Sequence, residues 1–299
     1  MGKKVAGFLP SSRESLADLN KTYVVDTESS DRWVGAPGRV AVMSLDVSIS
    51  AAVAALAVML VFWVISLIRR DASIADIAWG LVFVAIAWSS WAAGGRSVAG
   101  LIAALAVTVW GVRLAVYIGI RNAGHGEDRR YQAMRAKRPS RFWLWSLFGV
   151  FILQGLLALI VSLPIQSLGA VDDASPGIVA WLGLAIFVAG LGFEAIGDAQ
   201  LAAFKRDPAN RGQVMDRGLW RYTRHPNYFG DSLLWWGIWL IAIGSGASWW
   251  TLVGPALMTF MLVRVSGVAL LESDMAERRP GYAEYIRRTS SFIPRPPRS

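Results

Sequence analysis

Long apolar runs separated by short polar connections dominate the chain after its first 42 residues. About twenty consecutive apolar residues suffice for an α-helix to cross the hydrocarbon core of a membrane. Seven runs meet this requirement and are predicted as membrane-spanning helices: 47–68, 74–93, 98–120, 142–164, 177–197, 228–246 and 249–271. The pattern therefore predicts an all-α integral membrane domain over residues 43–299, whose last two spans form a tight helical hairpin.

Composition supports a membrane protein. Hydrophobic residues make up 55% of the chain and charged residues only 17%, whereas a soluble domain carries about a quarter charged residues. The mean hydropathy is +0.43, and the 15 tryptophans suit a residue that concentrates at bilayer interfaces. With no cysteine and two histidines, the chain offers no thiolate chemistry or disulfide, and we expect no metal site.

The chain carries a net charge of +9, and its basic residues lie mainly in alternate connections between the predicted spans. Arginine and lysine concentrate in the connections 69–70, 121–141 and 205–224 and in the tail after residue 272, while the intervening connections carry at most Arg96. Cytoplasmic loops are the basic ones, so we expect the C-terminus in the cytoplasm and the N-terminus outside. Because topology and anionic headgroups explain the charge, we expect no nucleic-acid partner. No obligate protein partner is evident either.

Residues 1–42 are polar and contain no sustained apolar segment. They are therefore not predicted as a secretory signal peptide. We interpret them as an upstream extension that is disordered or peripheral, with a folded functional element as the alternative.

Ionisable residues inside the spans or at their ends are candidates for function, because a charge in hydrocarbon is costly. They are Asp76, Arg113, Glu194, Asp198, Arg264, Glu272 and Asp274. Glu194 and Asp198 are four residues apart and so share one helix face. Simpler explanations stay open: Asp76 as a helix cap, Arg113 reaching back to water, and the carboxylate pair as a solvated face.

The stretch GLWRYTRHPNYFGD (218–231) is the densest polar cluster in the chain. Pro226 biases His225 away from helical geometry, so we expect a turn there and a helix that starts with Asn227, Tyr228 and Asp231. Arginines at 217, 221 and 224 suit a polyanion, and the aromatic side chains of Trp220, Tyr222 and Tyr228 suit a ring system. For His225 a structural role is the alternative.

Together with GHGEDRRYQAMR (124–135), these residues predict a cytoplasm-facing cavity for an anionic, ring-bearing molecule. The apolar bundle offers a lateral path for a lipid-like substrate. Neither a glycine-rich Rossmann fingerprint nor a P-loop is present, so a nucleotide site would be of another kind.

Several motifs occur in an order that resembles a bacterial membrane family, the DUF1295 family, which is related to the steroid 5α-reductases. They are DIAWG, WGVRL, GEDRRY, the stretch 194–200, GLWRYTRHPNYFGD and LLESDM…GYAEYIRRTSSFIP, covering about residues 67–294. Steroid 5α-reductases are seven-span enzymes that bind NADPH in a cytoplasm-facing cavity and reduce the double bond of an enone lipid. The resemblance implies the same fold and reaction class for this chain, as a multi-pass protein of the bacterial inner membrane.

The resemblance also implies site residues. Arg113 matches the family's third-span arginine, Arg130 and Tyr131 its following loop, and Asn227 and Asp231 its Asn-aromatic-x-Gly-acid motif. The cofactor-binding candidates are Arg113, Arg130, Glu194, Asp198, Arg217, Arg221, Tyr222, Arg224, His225, Asn227, Tyr228, Asp231 and Glu272.

Three residues differ from those of the reductases in the part of the site that is expected to bind the substrate. Trp110 stands where the reductases have a ketone-polarising tyrosine, Asp76 stands for its glutamate partner, and Glu194 replaces an asparagine. We therefore place Trp79 and Trp110 at the substrate and assign proton delivery to Asp76, Tyr131 or water.

These features predict an NADPH-dependent reductase of a carbon–carbon double bond in a lipid-like substrate. Because isoprenylcysteine carboxyl methyltransferases have a similar C-terminal half, an S-adenosylmethionine-dependent methyltransferase is the alternative. The arginine count favours the more negative cofactor, NADPH. A non-catalytic lipid-binding protein is the third hypothesis.

Overall fold

The computed structural model of the protein describes residues 43–265 and 281–298, and the regular elements in these ranges are all helical. They are α1 (Leu45–Arg69), α2 (Ile74–Ala93), α3 (Val98–Asn122), α4 (Arg129–Ala136), α5 (Phe142–Ser146), α6 (Leu153–Val161), α7 (Leu163–Gly169), α8 (Ile178–Arg206), α9 (Pro226–Ile243), α10 (Val253–Phe260) and α11 (Tyr282–Arg288). A π-helical stretch, Leu147–Ile152, joins α5 to α6. The extension predicted at 1–42 and the candidate Glu272 lie outside the described residues.

The predicted all-α fold of membrane type is confirmed. Five helices are long and apolar enough to cross a membrane: Leu45–Arg69, Ile74–Ala93, Val98–Asn122, Phe142–Val161 and Ile178–Arg206. Helix α9 has 18 residues, and Trp249–Val265 forms a shorter apolar helical segment.

Three predicted helix ends were wrong. The sixth span ends at Ile243 and not at residue 246. The fourth span ends at Val161 and is followed by the separate short helix α7. Helix α8 does not stop at residue 197 but continues to Arg206, because the sequence DAQLAAFKR is rich in good helix formers. Asp207 and Pro208 then end it, since proline disfavours helical geometry in the residue before it. Asp198 therefore lies inside the helix.

Hydrogen bonds join the connections between the helices at both ends of the bundle. At one end, backbone hydrogen bonds join Gly177 N to Gly244 O at 3.1 Å and Ala99 N to Ala174 O at 3.1 Å. At the other end the amide of Ala72 donates to Glu127 at 2.8 Å. We call this second end, which carries the connections 70–73, 123–128 and 207–225, the basic end.

Helices α8 and α9 pack antiparallel along a row of glycines. A Cβ atom added to Gly237 would lie 2.6 Å from Phe187 N and 2.7 Å from Gly183 O. One added to Gly230 would lie 2.5 Å from both Glu194 N and Gly190 O. Only glycine permits so close a backbone approach, which is a common device between membrane helices. This row of glycines therefore brings the first turns of α9 into close contact with the backbone at Glu194.

We expect Gly237→Ala to destabilise the protein by about 1–3 kcal/mol, because the added methyl group meets backbone atoms that cannot rotate away. Thermal unfolding in detergent, followed by tryptophan fluorescence, measures this effect. Gly192→Ala is the matched control on the same pair of helices, since nothing lies within 4 Å of its added Cβ. Equal stability of the two variants would show that the α8–α9 interface is not tightly packed at Gly237.

Candidate functional site

A buried ion-pair cluster surrounds Arg113, two and a half turns before the end of α3. Its guanidinium forms an ion pair with Glu194 and a second one, 3.0 Å long, with Asp198 Oδ2. Both carboxylate side chains are almost fully buried, at 4% and 5% exposed. The prediction that Glu194 and Asp198 share one helix face is confirmed, and the solvated-face alternative is wrong.

Both carboxylates accept a further hydrogen bond from another helix. Trp110 Nε1 donates to Glu194 Oε2 at 3.0 Å, and Asn227 Nδ2 donates to Asp198 Oδ1 at 3.1 Å. Asn227 stands in the first turn of α9, which begins at Pro226, two residues before the predicted start of the sixth span. The cluster thus links α3, α8 and α9. We call Trp110, Arg113, Glu194, Asp198, Asn227 and Asp231 the central cluster.

Negative groups outnumber positive ones in the central cluster. Asp231 is 7% exposed and lies close enough to Glu194 and Asp198 for the carboxylates to repel one another. Arg113 is the single cation set against these three carboxylates within the cluster. The site therefore favours a hydrogen-bond donor or a cation over a phosphate group.

Four buried polar atoms in and beside the central cluster have no hydrogen-bond partner within the described ranges. They are Arg113 Nε, Asn227 Oδ1, Asp231 Oδ1 and Trp235 Nε1. The Trp235 indole faces the Asp231 carboxyl without reaching hydrogen-bond geometry. Leaving a buried polar atom unpaired costs about 1–3 kcal/mol. A ligand whose polar groups form hydrogen bonds with these atoms would therefore gain the most binding free energy.

A ladder of stacked side chains connects the central cluster to the basic end. Arg113, Tyr117 and Arg121 follow at intervals of four residues on one face of α3. The Tyr117 ring centroid lies 6.0 Å from the Arg113 guanidinium carbon and 5.9 Å from that of Arg121. Arg121 is exposed, and sequence reasoning missed it although the four-residue spacing was visible.

A second group of polar residues, which we call the loop cluster, forms where α4 meets the start of α2. Tyr131 Oη donates to Asp76 Oδ1 at 2.7 Å, and Arg130 Nη2 donates to Asp76 Oδ2 at 2.7 Å. Arg130 also binds Asp128 at 3.0 Å. The structure thus brings together Asp76, Arg130 and Tyr131, and the Asp76 side chain is bound by α4 rather than capping α2.

Burial raises the pKa of Tyr131, and the negative charge of Asp76 and the hydrogen bond to it raise that pKa further. Tyr131 therefore keeps its proton throughout the neutral range and acts as a hydrogen-bond donor to Asp76. The Gln154 side chain also faces this hydroxyl, while its Oε1 atom has no partner in the described part of the chain. Sequence reasoning missed Gln154, although a lone amide in an apolar span is itself a signal.

Glu127 anchors the α3–α4 connection to the α1–α2 connection. It accepts hydrogen bonds from Arg135 Nη2 at 2.6 Å and from the Ala72 amide at 2.8 Å. Burial acts to raise the pKa of Glu127, but the hydrogen bonds and the charge of Arg135 outweigh it and lower the pKa below 4.5. The stabilisation is therefore present above pH 4.5 and is lost as the pH falls through the lower pKa of the folded state.

We expect Glu127→Gln to loosen this connection at neutral pH, because charged hydrogen bonds contribute about 1.5–3 kcal/mol. Faster hydrogen–deuterium exchange of peptides covering residues 123–136, corrected for intrinsic rates, measures the effect. Glu284→Gln, which changes an exposed carboxylate at 45% exposure, should leave these peptides unchanged. Unchanged exchange in Glu127→Gln itself would contradict the anchoring role.

The stretch 217–231 divides into an exposed and a buried part. Arg217, Arg221 and Tyr222 are exposed, whereas Arg224 and His225 are buried. The Arg224 guanidinium donates to Thr289 O at 2.5 Å and to Ile286 O at 3.2 Å. Arg224 thus fastens the end of α11, and it does not join the central cluster.

Aromatic rings fill the space between α2, α3 and α9. The His225 ring stacks on Tyr228, with centroids 5.5 Å apart and planes 2° from parallel. Trp79 packs edge-on against Phe83 at 5.0 Å, and Phe83 contacts Trp110 at 5.5 Å. Trp110 is fully buried, so both predicted substrate residues lie in one aromatic layer.

Two open clefts lie at the surface near the basic end. One, of about 270 Å³, follows residues 204–212. The other, of about 530 Å³, runs between residues 212–217 and 281–288 and is lined in part by Arg217. No residue of the central cluster lines either cleft.

Comparison with known proteins relates the chain to another protein and to a protein family. The chain is 26% identical over 266 residues to an uncharacterized protein of Schizosaccharomyces pombe, covering 79% of this chain and 76% of that protein. No solved structure matches. Residues 62–289 match the family described as "Protein of unknown function (DUF1295)". The chain therefore belongs to the DUF1295 family.

Proposed function

We propose that the protein is an NADPH-dependent reductase of a carbon–carbon double bond in a lipid-like substrate. The observation that carries the proposal is the set of unpartnered buried atoms on Arg113, Asn227 and Asp231. They suit the amide and hydroxyl groups of a nicotinamide riboside. The resemblance to steroid 5α-reductases supports the same cofactor.

In our proposal, the arginines that are paired with carboxylates and the arginines that are exposed have different roles in binding this cofactor. Arg113 and Arg130 are each neutralised by two carboxylates, so they do not serve as phosphate ligands in our proposal. Arg121, Arg217 and Arg221 are exposed at the basic end, where phosphates meet arginine without losing their hydration. The nicotinamide end would therefore lie at the central cluster and the phosphates towards the basic end.

When bound, NADPH supplies a hydride to one carbon of the double bond. A proton must reach the other carbon, and Tyr131 with Asp76 forms a donor pair that Arg130 holds in place. Because Tyr131 keeps its proton at neutral pH, it transfers that proton only to a more basic group, such as the carbanion or enolate that follows hydride addition. Water would then reprotonate Tyr131.

The membrane topology that we propose has seven spans. The five long helices, α9 and the segment that starts at Trp249 supply them. With the basic end in the cytoplasm, the cofactor would enter from the cytoplasm of a bacterial cell and the lipid from within the inner membrane.

Isotope transfer tests the proposed reaction. The purified protein is incubated with a bacterial lipid extract and with NADPH deuterated at C4 of the nicotinamide, on each face separately. We expect one deuterium in a reduced lipid from one of the two cofactors, and a second when the solvent is D₂O. A lipid that gains a methyl group from S-adenosylmethionine instead would contradict the proposal.

The central cluster also supports a second candidate, an S-adenosylmethionine-dependent methyltransferase. Three carboxylates surround the single cation Arg113, and such a negative site stabilises a sulfonium or an ammonium group. Against this alternative, the exposed arginines at 121, 217 and 221 have no role in binding a cofactor of low charge.

A further inference from the structure

The cytoplasmic end of α1 and the start of α5 meet in a border that the proposed reaction does not use. Trp63 Nε1 donates to Trp143 O at 3.1 Å, and Arg135 Nη2 approaches Arg70 O at 3.5 Å. These contacts bring the last turns of α1 beside the segment that leads into α5. We call this region the α1–α5 border.

Exposed cations flank the α1–α5 border on both sides. Two belong to the end of α1 and three to the segment before α5: Arg69, Arg70, Lys137, Arg138 and Arg141. None of the five forms an ion pair with a carboxylate within residues 43–265 and 281–298. Arg138 is held in place, because its guanidinium carbon lies 4.4 Å from the centroid of the Trp145 ring.

Apolar side chains continue from these cations into the membrane-spanning region. On α1, Val64 and Ile68 are 47% and 77% exposed, and beyond Arg141 the side chains of Trp143 and Phe148 are 52% and 61% exposed. The border therefore combines a cationic rim with an apolar band directly beneath it. A soluble anion would use only the rim, whereas a lipid would use both parts.

We propose that the α1–α5 border is a binding site for an anionic phospholipid. The headgroup phosphate would lie between the cations of α1 and those before α5, and one acyl chain would follow the apolar band. A zwitterionic lipid carries its own ammonium group beside the phosphate, so the five cations favour a lipid such as phosphatidylglycerol. This site lies apart from the central cluster and does not depend on the proposed reaction.

Native mass spectrometry of the purified protein tests this proposal with phosphatidylglycerol and phosphatidylcholine of equal chain length. We expect a saturable phosphatidylglycerol adduct, and a loss of affinity of about fivefold for each of the substitutions Arg138→Gln and Arg141→Gln. The variant Arg138→Lys keeps the charge and should retain most of the affinity. The double variant Arg206→Gln/Arg211→Gln removes the same charge from another connection of the basic end and serves as the matched control.

The combined variant Arg138→Gln/Arg141→Gln should therefore lose more affinity than Arg206→Gln/Arg211→Gln. Three results would overturn the proposal. Equal losses in these two variants would show a general attraction to the basic end and no specific site. Equal affinity for phosphatidylcholine would remove the role of the cations. Displacement of the lipid by inorganic phosphate at constant ionic strength would indicate a site for a soluble anion. Unfolding temperatures measured in detergent confirm that each variant is folded, since the substituted side chains are exposed.

Discussion

Arg113→Met is expected to destabilise the protein by about 3–5 kcal/mol, the usual result of removing one partner from a buried ion pair. The side chains of Glu194 and Asp198 are almost fully buried and take their positive partner from Arg113. Without it, the buried carboxylates repel each other and Asp231 with no positive partner in the cluster. Thermal unfolding in detergent, followed by tryptophan fluorescence, measures the loss.

Two further variants separate this effect from a general loss of packing. Arg121→Met makes the same change on the same face of α3 at an exposed position, and we expect a change below about 1 kcal/mol. Combining Arg113→Met with Glu194→Gln should recover part of the stability, because the double variant leaves one buried charge fewer. A stable Arg113→Met protein, or no recovery in the double variant, would contradict the ion-pair account.

Asp231→Asn is expected to separate stability from ligand binding. The substitution removes a carboxylate that is repelled by Glu194 and Asp198, so the unfolding temperature should stay the same or rise. Affinity for NADPH should fall by about ten- to a hundredfold, because a hydrogen bond to a charged acceptor contributes about 1.5–3 kcal/mol. Unfolding and titration of the same preparation measure both effects.

Asp207→Asn is the control for this prediction, since Asp207 is exposed and only caps the turn at Ala209. It should change neither stability nor affinity. If Asp231→Asn instead lowered the unfolding temperature strongly, the carboxylate would be a structural partner and not a ligand-binding group.

Local sequence patterns predicted the elements and part of the site. The lengths of the apolar runs placed α1, α2 and α3 to within a few residues, because each is a long apolar run with polar flanks. The four-residue spacing placed Glu194 and Asp198 on one face, and Pro226 marked the start of α9. These features depend on neighbours in sequence, which is why the sequence alone reveals them.

The pairing of charges depends on distant neighbours and was not predictable. Arg113 lies 81 residues from Glu194, and nothing in the local sequence shows that two carboxylates neutralise it. In the same way, Arg224 resembled a phosphate ligand, whereas the carbonyls of Ile286 and Thr289 occupy its guanidinium. A count of arginines therefore overstates the positive charge available to a cofactor.

Equilibrium titration tests the central claim most directly. Calorimetry of the detergent-purified protein with NADPH, NADH and S-adenosylmethionine in parallel compares the two cofactor classes without needing the substrate. We predict binding of NADPH, and loss of that binding in Asn227→Ala, with the unfolding temperature showing that the variant is folded. Binding of S-adenosylmethionine without NADPH, or NADPH binding unaffected by Asn227→Ala, would contradict the assignment of the central cluster as a nicotinamide site.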